Sequence, residues 1–212
     1  MRKKTVKVAG VGINDAEFPI SVVDESGARK TIKSYSVWKD MLVRCYSGKA
    51  QKKNKTYVGC TVCSEWLKFS NFHEWYSGQE NGPGWQIDKD IINPGAKEYS
   101  PDNCVLVPQK LNLFLNDNAA QRGRYKIGVM RFESGRWAAR CCNPFSGSQE
   151  VFGFFESEDE AHAAWREKKR EHAIRYAESL PYGRLRSALC RRYCASRARA
   201  IITRPEKLDE IA

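Results

Sequence analysis

The chain has 212 residues, of which 42% are apolar, enough for the packed core of one large or two small domains. Thirty-six Lys and Arg against 25 Asp and Glu leave a formal charge of +11, which favours a polyanionic partner, nucleic acid first, through phosphate neutralisation and counterion release. The sequence has no apolar run of membrane-spanning length, no apolar centre in its opening residues and eight scattered cysteines, so it predicts a soluble intracellular protein with reduced thiols and no membrane partner.

Residues 1–34 form a β-rich segment. Val8 to Gly12 and Phe18 to Val23 are short apolar runs, the second followed by the turn residues Asp24 to Gly27, which predicts short strands or a hairpin. From Ser36, a predicted N-cap, Trp38, Met41, Leu42 and Cys45 fall at helical spacing. A second helix is predicted from Ser64, with Trp66, Phe69, Phe72 and Trp75 or Tyr76 on one face, and the two helices share a core. Lys49 to Lys55 reads as a solvated loop and Gly78 to Gly84 as a turn-rich connector.

Trp85 to Ile92, then Ser100 to Val107, then Leu111-Asn112 carry the polar pattern of a one-metal site. Cutting a phosphodiester in this way needs oxygen ligands for a divalent cation, a base for the attacking water, and rigid backbone holding both. Asp88, at the end of a β-like run, offers a carboxylate, and Asn112, on a helix expected after Val107 and Pro108, offers an amide oxygen of the kind hard cations accept.

These blocks resemble the HNH endonucleases, in the homing-type branch found in phages, and Trp38 to Tyr46 and Val62 to Trp66 are similar to segments that accompany that domain. The resemblance implies a ββα-metal module in which Asp88 and Asn112 bind Mg²⁺ or Mn²⁺ and Asn103, nine residues before Asn112, pins the loop. Lys89 stands where the family has its general-base histidine. Histidine titrates near neutrality, whereas lysine ordinarily stays protonated and has no lone pair to offer. Two roles near the phosphate stay open for Lys89: a base, if desolvation and the nearby metal strip its proton, or a protonated group that holds a phosphate oxygen or the leaving group. Asp90 could supplement the ligands, although such a residue is more often a turn or surface group. His73 reads as a packing or surface residue rather than a base.

Cys60-Thr61-Val62-Cys63 has zinc-like spacing, and Cys45 or Cys104 could complete a structural Zn²⁺ set. The second tight pair is missing, so packed thiols are the leading reading.

The polar stretch 116–123 reads as a linker. Beyond it, Tyr125 to Arg131, Arg136 to Cys142 and Glu150 to Phe155 predict a three-stranded meander. The capping box Ser157 to Glu160 opens a long helix with Ala161, Ala164, Trp165, His172 and Tyr176 toward the sheet, stopped by Pro181 and Gly183. Strand alternation puts Arg136, Ala138 and Arg140 on one face and Trp137 and Ala139 on the other. Gly128-Val129, Trp137-Ala138-Ala139, Gly153-Phe154-Phe155 and Glu160-Ala161 resemble the AP2 DNA-binding domain. The resemblance implies contacts to double-stranded DNA from Arg124, Arg131, Arg136, Trp137 and Arg140. Residues 181–212 are a basic tail; past Gly183 it holds eight Lys or Arg against three Asp or Glu.

The expectation is an α+β protein: an HNH-like module at 35–115, a linker at 116–123, an AP2-like sheet plus helix at 124–180, and terminal segments at 1–34 and 181–212. Its expected function is metal-dependent DNA cleavage, placed in the bacterial cytoplasm if the chain is phage-encoded. The competing class is a DNA-binding or regulatory protein on a nuclease scaffold that does not cut; a third is a host-interaction protein with another acidic target.

Overall fold

The computed structural model describes residues 7–79, 82, 84–116 and 124–193. The protein is α+β and divides into two compact units, Met1–Pro108 and Gln109–Ala212. Among the described residues no helix is long and apolar enough to cross a membrane.

In the first unit, Val8 to Gly12 is a tight turn rather than a strand. Val8 and Gly12 bridge each other, with φ of 51° at Ala9 and 80° at Gly10. Gly12 lies against the core: a Cβ there would come within 2.3 Å of Leu42 Cδ1. Strands β1 (Ser21–Val23) and β2 (Arg29–Thr31) form the expected hairpin, whose turn is closed by Asp24 Oδ1 accepting from the backbone N–H of Ser26 and Ala28.

Helix α1 (Lys33–Tyr46) begins ahead of Ser36, which is not its N-cap. Ile32 occupies that place, and the Ser36 hydroxyl donates back to the Ile32 carbonyl, so Ser36 sits inside the first turn. The Lys-rich stretch expected as a loop is helix α2 (Gly48–Lys53), capped by the Ser47 side chain, followed by a 3₁₀ turn at Lys55–Tyr57. After strand β3 (Thr61–Val62), Ser64 opens only a 3₁₀ turn, Glu65–Leu67. Helix α3 (Phe69–Ser77) starts later because Lys68 is extended and the Phe69 N–H donates to the Ile13 carbonyl.

The two longer helices pack as expected. Trp38, Met41, Leu42, Phe69 and Phe72 are fully buried, and Trp38 Nε1 satisfies its donor on the Trp66 carbonyl at 2.6 Å. Each such side chain contributes roughly 1.5–3 kcal/mol through its burial. Against this core lie two small sheets: β4 (Gln86–Asp88), β5 (Glu98–Tyr99) and β6 (Val105–Val107) pair as β3 parallel to β5 and β4 antiparallel to β6.

The second unit begins with helix α4 (Gln109–Leu115), ahead of the expected linker, because Phe114 belongs to its packing. The Phe114 ring lies 6.4 Å from those of both His172 and Tyr193, with Lys169 Nζ 5.1 Å above it. Residues 117–123 of that linker lie outside the described residues. Strands β7 (Val129–Arg131), β8 (Trp137–Cys142) and β9 (Gln149–Phe155) form an antiparallel meander in that order. Helix α5 (Glu158–Ser179) covers one face and opens with a capping box in which Ser157 and Glu160 satisfy each other's backbone N–H.

Gly128, at φ of 77°, lies beneath the Trp165 ring, where an added Cβ would fall 2.0 Å from Cδ1. Ala161, Trp165 and His172 are buried as expected, whereas Ala164 and Tyr176 are only half-buried. The sequence did not single out Lys169, which is buried between Phe114 and Trp165. The basic tail starts as helix α6 (Arg184–Tyr193), with Ala188, Leu189 and Cys190 buried; residues 194–212 lie outside the described residues.

Candidate functional site

The end of β4 is where the first unit concentrates its polar chemistry. Antiparallel pairing with β6 sets Asp88 opposite Val105, and the chain then turns sharply. Asp88 Oδ1 accepts from the backbone N–H of Asp90 and of Ile91, each at 2.8 Å, which locks the carboxylate in orientation. Its second oxygen makes no hydrogen bond among the described residues. Burial raises the Asp88 carboxyl above the ordinary carboxylate range, with the Ile91 and Asp90 N–H groups and the charge of Lys89 opposing that shift.

Asn103 ties the returning loop together. Its Oδ1 accepts from Asn93 Nδ2 at 2.7 Å, its Nδ2 donates to the Glu98 carbonyl at 3.1 Å, and its backbone N–H reaches the Ser100 carbonyl at 3.2 Å. One amide thereby joins the start, middle and end of the segment between β4 and β6.

Lys89 points inward, and its side chain is only 8% exposed. Its Nζ donates to Asp90 Oδ1 at 2.8 Å and sits 5.9 Å from the centroid of the buried Tyr99 ring. On the other contacts of that ring, the Arg44 guanidinium carbon lies 5.7 Å from its centroid. Asp90 is thus the ion-pair partner of Lys89. The sequence pattern singled out Lys89 but carried no signal for Tyr99, which meets it only through the pairing of β5 with β3. Asn112 lies on α4, in the second unit, while Asp88 lies in the first.

Cys45, Cys60, Cys63 and Cys104 are buried free thiols. Cys45 Sγ donates to the Thr61 carbonyl and Cys60 Sγ to the Thr56 carbonyl. Burial pushes Cys45 and Cys104 up to about 12 and Cys63 up to about 11. Among the described residues no group of three or more His, Cys, Asp or Glu side chains is placed to share a metal ion. His73 Nδ1 lies 2.8 Å from the buried Ser34 hydroxyl, and its ring packs against Phe18 and Phe69.

In the second unit, strand register sorts the basic residues. Trp137 pairs with Arg131 and Phe155, and Ala139 with Val129 and Gly153, on the face that α5 covers. Ala138 pairs with Met130 and Phe154, and Arg140 with Val151, on the opposite face, where Ala138 is buried and Arg140, Val151 and Phe154 are exposed. The bulge falls in β9 at Phe152, so alternation along β8 is unbroken. Arg136, flanking β8, lies over the Phe154 ring at 5.9 Å, donates to the Phe154 carbonyl and pairs with Glu156 at 3.3 Å. Arg131 stacks on Trp137 at 5.2 Å, Tyr125 meets Trp137 edge-on, and Arg124 lies over Tyr125 at 5.2 Å. The five expected contacts therefore form two sets: Arg136 and Arg140 on the open face, and Arg124, Arg131 and Trp137 in an aromatic-cation chain.

Comparison of the chain with protein-family models, curated proteins and solved structures gives no match.

Proposed function

We propose that the protein is a divalent-metal-dependent DNA endonuclease of the HNH type, in which a basic sheet of AP2-like form supplies affinity for DNA. The observation that carries this reading is the Asp88 carboxylate at the end of a strand pair: one oxygen is held by two backbone N–H groups, and the other makes no hydrogen bond among the described residues. A partly buried carboxylate in that state fits a hard cation, which would both offset its burial and take the open oxygen. Mg²⁺ or Mn²⁺ bound there supplies charge neutralisation at the scissile phosphate.

The chain's own residues orient this ligand. Asn103 braces the loop that carries Asp88 and Lys89, and the β4–β6 pair fixes where the carboxylate emerges. The ligand role of Asn112 rests on the resemblance to the HNH pattern alone. Lys89, engaged by Asp90 and Tyr99, serves as a strut for the turn, and solvent must find its proton acceptor elsewhere.

That same burial of Lys89 favours a second reading, a DNA-binding protein that does not cut. Supercoiled plasmid incubated with Mg²⁺ or Mn²⁺ separates the two. Cleavage predicts conversion to open-circular or linear DNA, lost at least about a hundredfold in Asp88→Ala because a metal ligand is worth several kcal/mol at the transition state. Lys89→His is expected to speed it by restoring a group that titrates near neutrality. Absence of any conversion in either metal sinks the enzyme and leaves the binder.

A further inference from the structure

The open face of the sheet carries two phenyl rings that the duplex-binding arginines do not account for. Phe132 is 39% exposed and Phe154 51%, with Val151 at 50% beside them. The two rings lie 5.3 Å apart at 66°. Strand register assigns them to one face: Met130, Ala138 and Phe154 form one row across the sheet, Arg140 and Val151 the next, and Phe132 follows Met130 by two residues. Ala138, in the middle of the row, is fully buried. Two cations border the rings, Arg136 over Phe154 and the exposed Arg140, whose side chain makes no hydrogen bond or ion pair among the described residues.

A ligand for this face must bring flat apolar surface and negative charge together. Duplex DNA brings the charge, but its base faces are already stacked, and it offers a phenyl ring little more than thymine methyl groups. An unpaired strand offers both π-faces and phosphates at close spacing. We infer that the open sheet face binds an unpaired DNA strand, with bases stacking on Phe132 and Phe154 and the flanking phosphates held by Arg136 and Arg140. This rests on the reading of the second unit as a DNA binder and narrows it to strands that are already open, such as those at a nick, gap or fork.

The test uses the full chain with a fluorescent single-stranded oligonucleotide carrying 2-aminopurine, and the same sequence as a duplex. Binding of the single strand is expected to change 2-aminopurine emission. Phe132→Ala and Phe154→Ala should each weaken single-strand binding about tenfold while duplex affinity stays within about twofold. Phe154→Leu, which keeps bulk without the ring, should lose as much as alanine, whereas Phe154→Tyr should retain affinity; circular dichroism checks that every variant is folded. Equal losses on both DNAs, indifference of both phenylalanine variants, or a dimer in sedimentation that Phe154→Ala dissociates would each overturn the inference, the last two leaving duplex binding intact. Failure to bind either DNA would remove the underlying reading with it.

Discussion

An ionised carboxylate removed from water must gain partners to offset its lost hydration, and among the described residues Asp88 has hydrogen-bond donors on only one of its two oxygens. Its carboxyl is raised by burial, so the folded state holds the proton more tightly than the unfolded chain. That contribution favours folding at low pH and is lost as the pH rises above 3.8 through the raised folded value. In EDTA at neutral pH, Asp88→Asn is therefore expected to raise the melting temperature, by roughly 2–4 °C for a chain of this size, and with Mg²⁺ supplied it should abolish plasmid cleavage. A lower melting temperature without metal would mean that the carboxylate is structural. Added Mg²⁺ should stabilise the wild type and not the variant. The linear pattern singled out Asp88 and Lys89 as adjacent polar residues at the end of a strand, and β4 does end at Asp88. That Lys89 turns toward Tyr99 was not legible there, because Tyr99 lies on β5, in a different sheet from β4.

At the scale of elements, helical and strand periodicity located most of the secondary structure. The boundaries moved where a long-range contact outweighed local propensity, as at Phe69, whose N–H is taken by Ile13. Helix α5 shows the same effect inside an element: the pattern placed His172 toward the sheet but gave no reason to bury Lys169 beside it. His172 is 4% exposed, and its Nε2 lies 3.6 Å from Glu150 Oε2 on β9. Burial, then the charge of Lys168, hold its imidazole below the ordinary value, opposed by Glu150 and Glu171, with Arg175 adding to the depression and Phe114 of α4 lending no charge. A histidine with a lowered folded pKa binds its proton more readily once unfolded. Its stabilising contribution is present above about pH 6.5 and drains away as the pH falls through the folded value. Denaturant midpoints of the second unit are accordingly expected to decline from pH 7 to pH 5, and His172→Gln should flatten that decline. A profile equally steep in the variant would assign the loss to other groups.

For the whole molecule, the charge of +11 calls for strong salt dependence. If Arg124, Arg131, Arg136 and Arg140 each neutralise one phosphate, log affinity for DNA should fall against log salt with a slope of about −4, and Arg140→Ala should lessen it by about one. Binding that ignores salt would disqualify the arginines. Composition and periodicity by themselves determined the α+β class, the helix-rich first half, the meander with its covering helix, and the basic balance, because each is set by residue type and local spacing. Tertiary structure alone decided that helix α4 packs with the second unit, that Lys89 is buried beside Tyr99, and that Phe132 and Phe154 stand exposed on one face with Arg136 and Arg140. Those outcomes depend on which distant segments meet, and burial and pairing between distant residues leave no periodic trace in the chain that forms them.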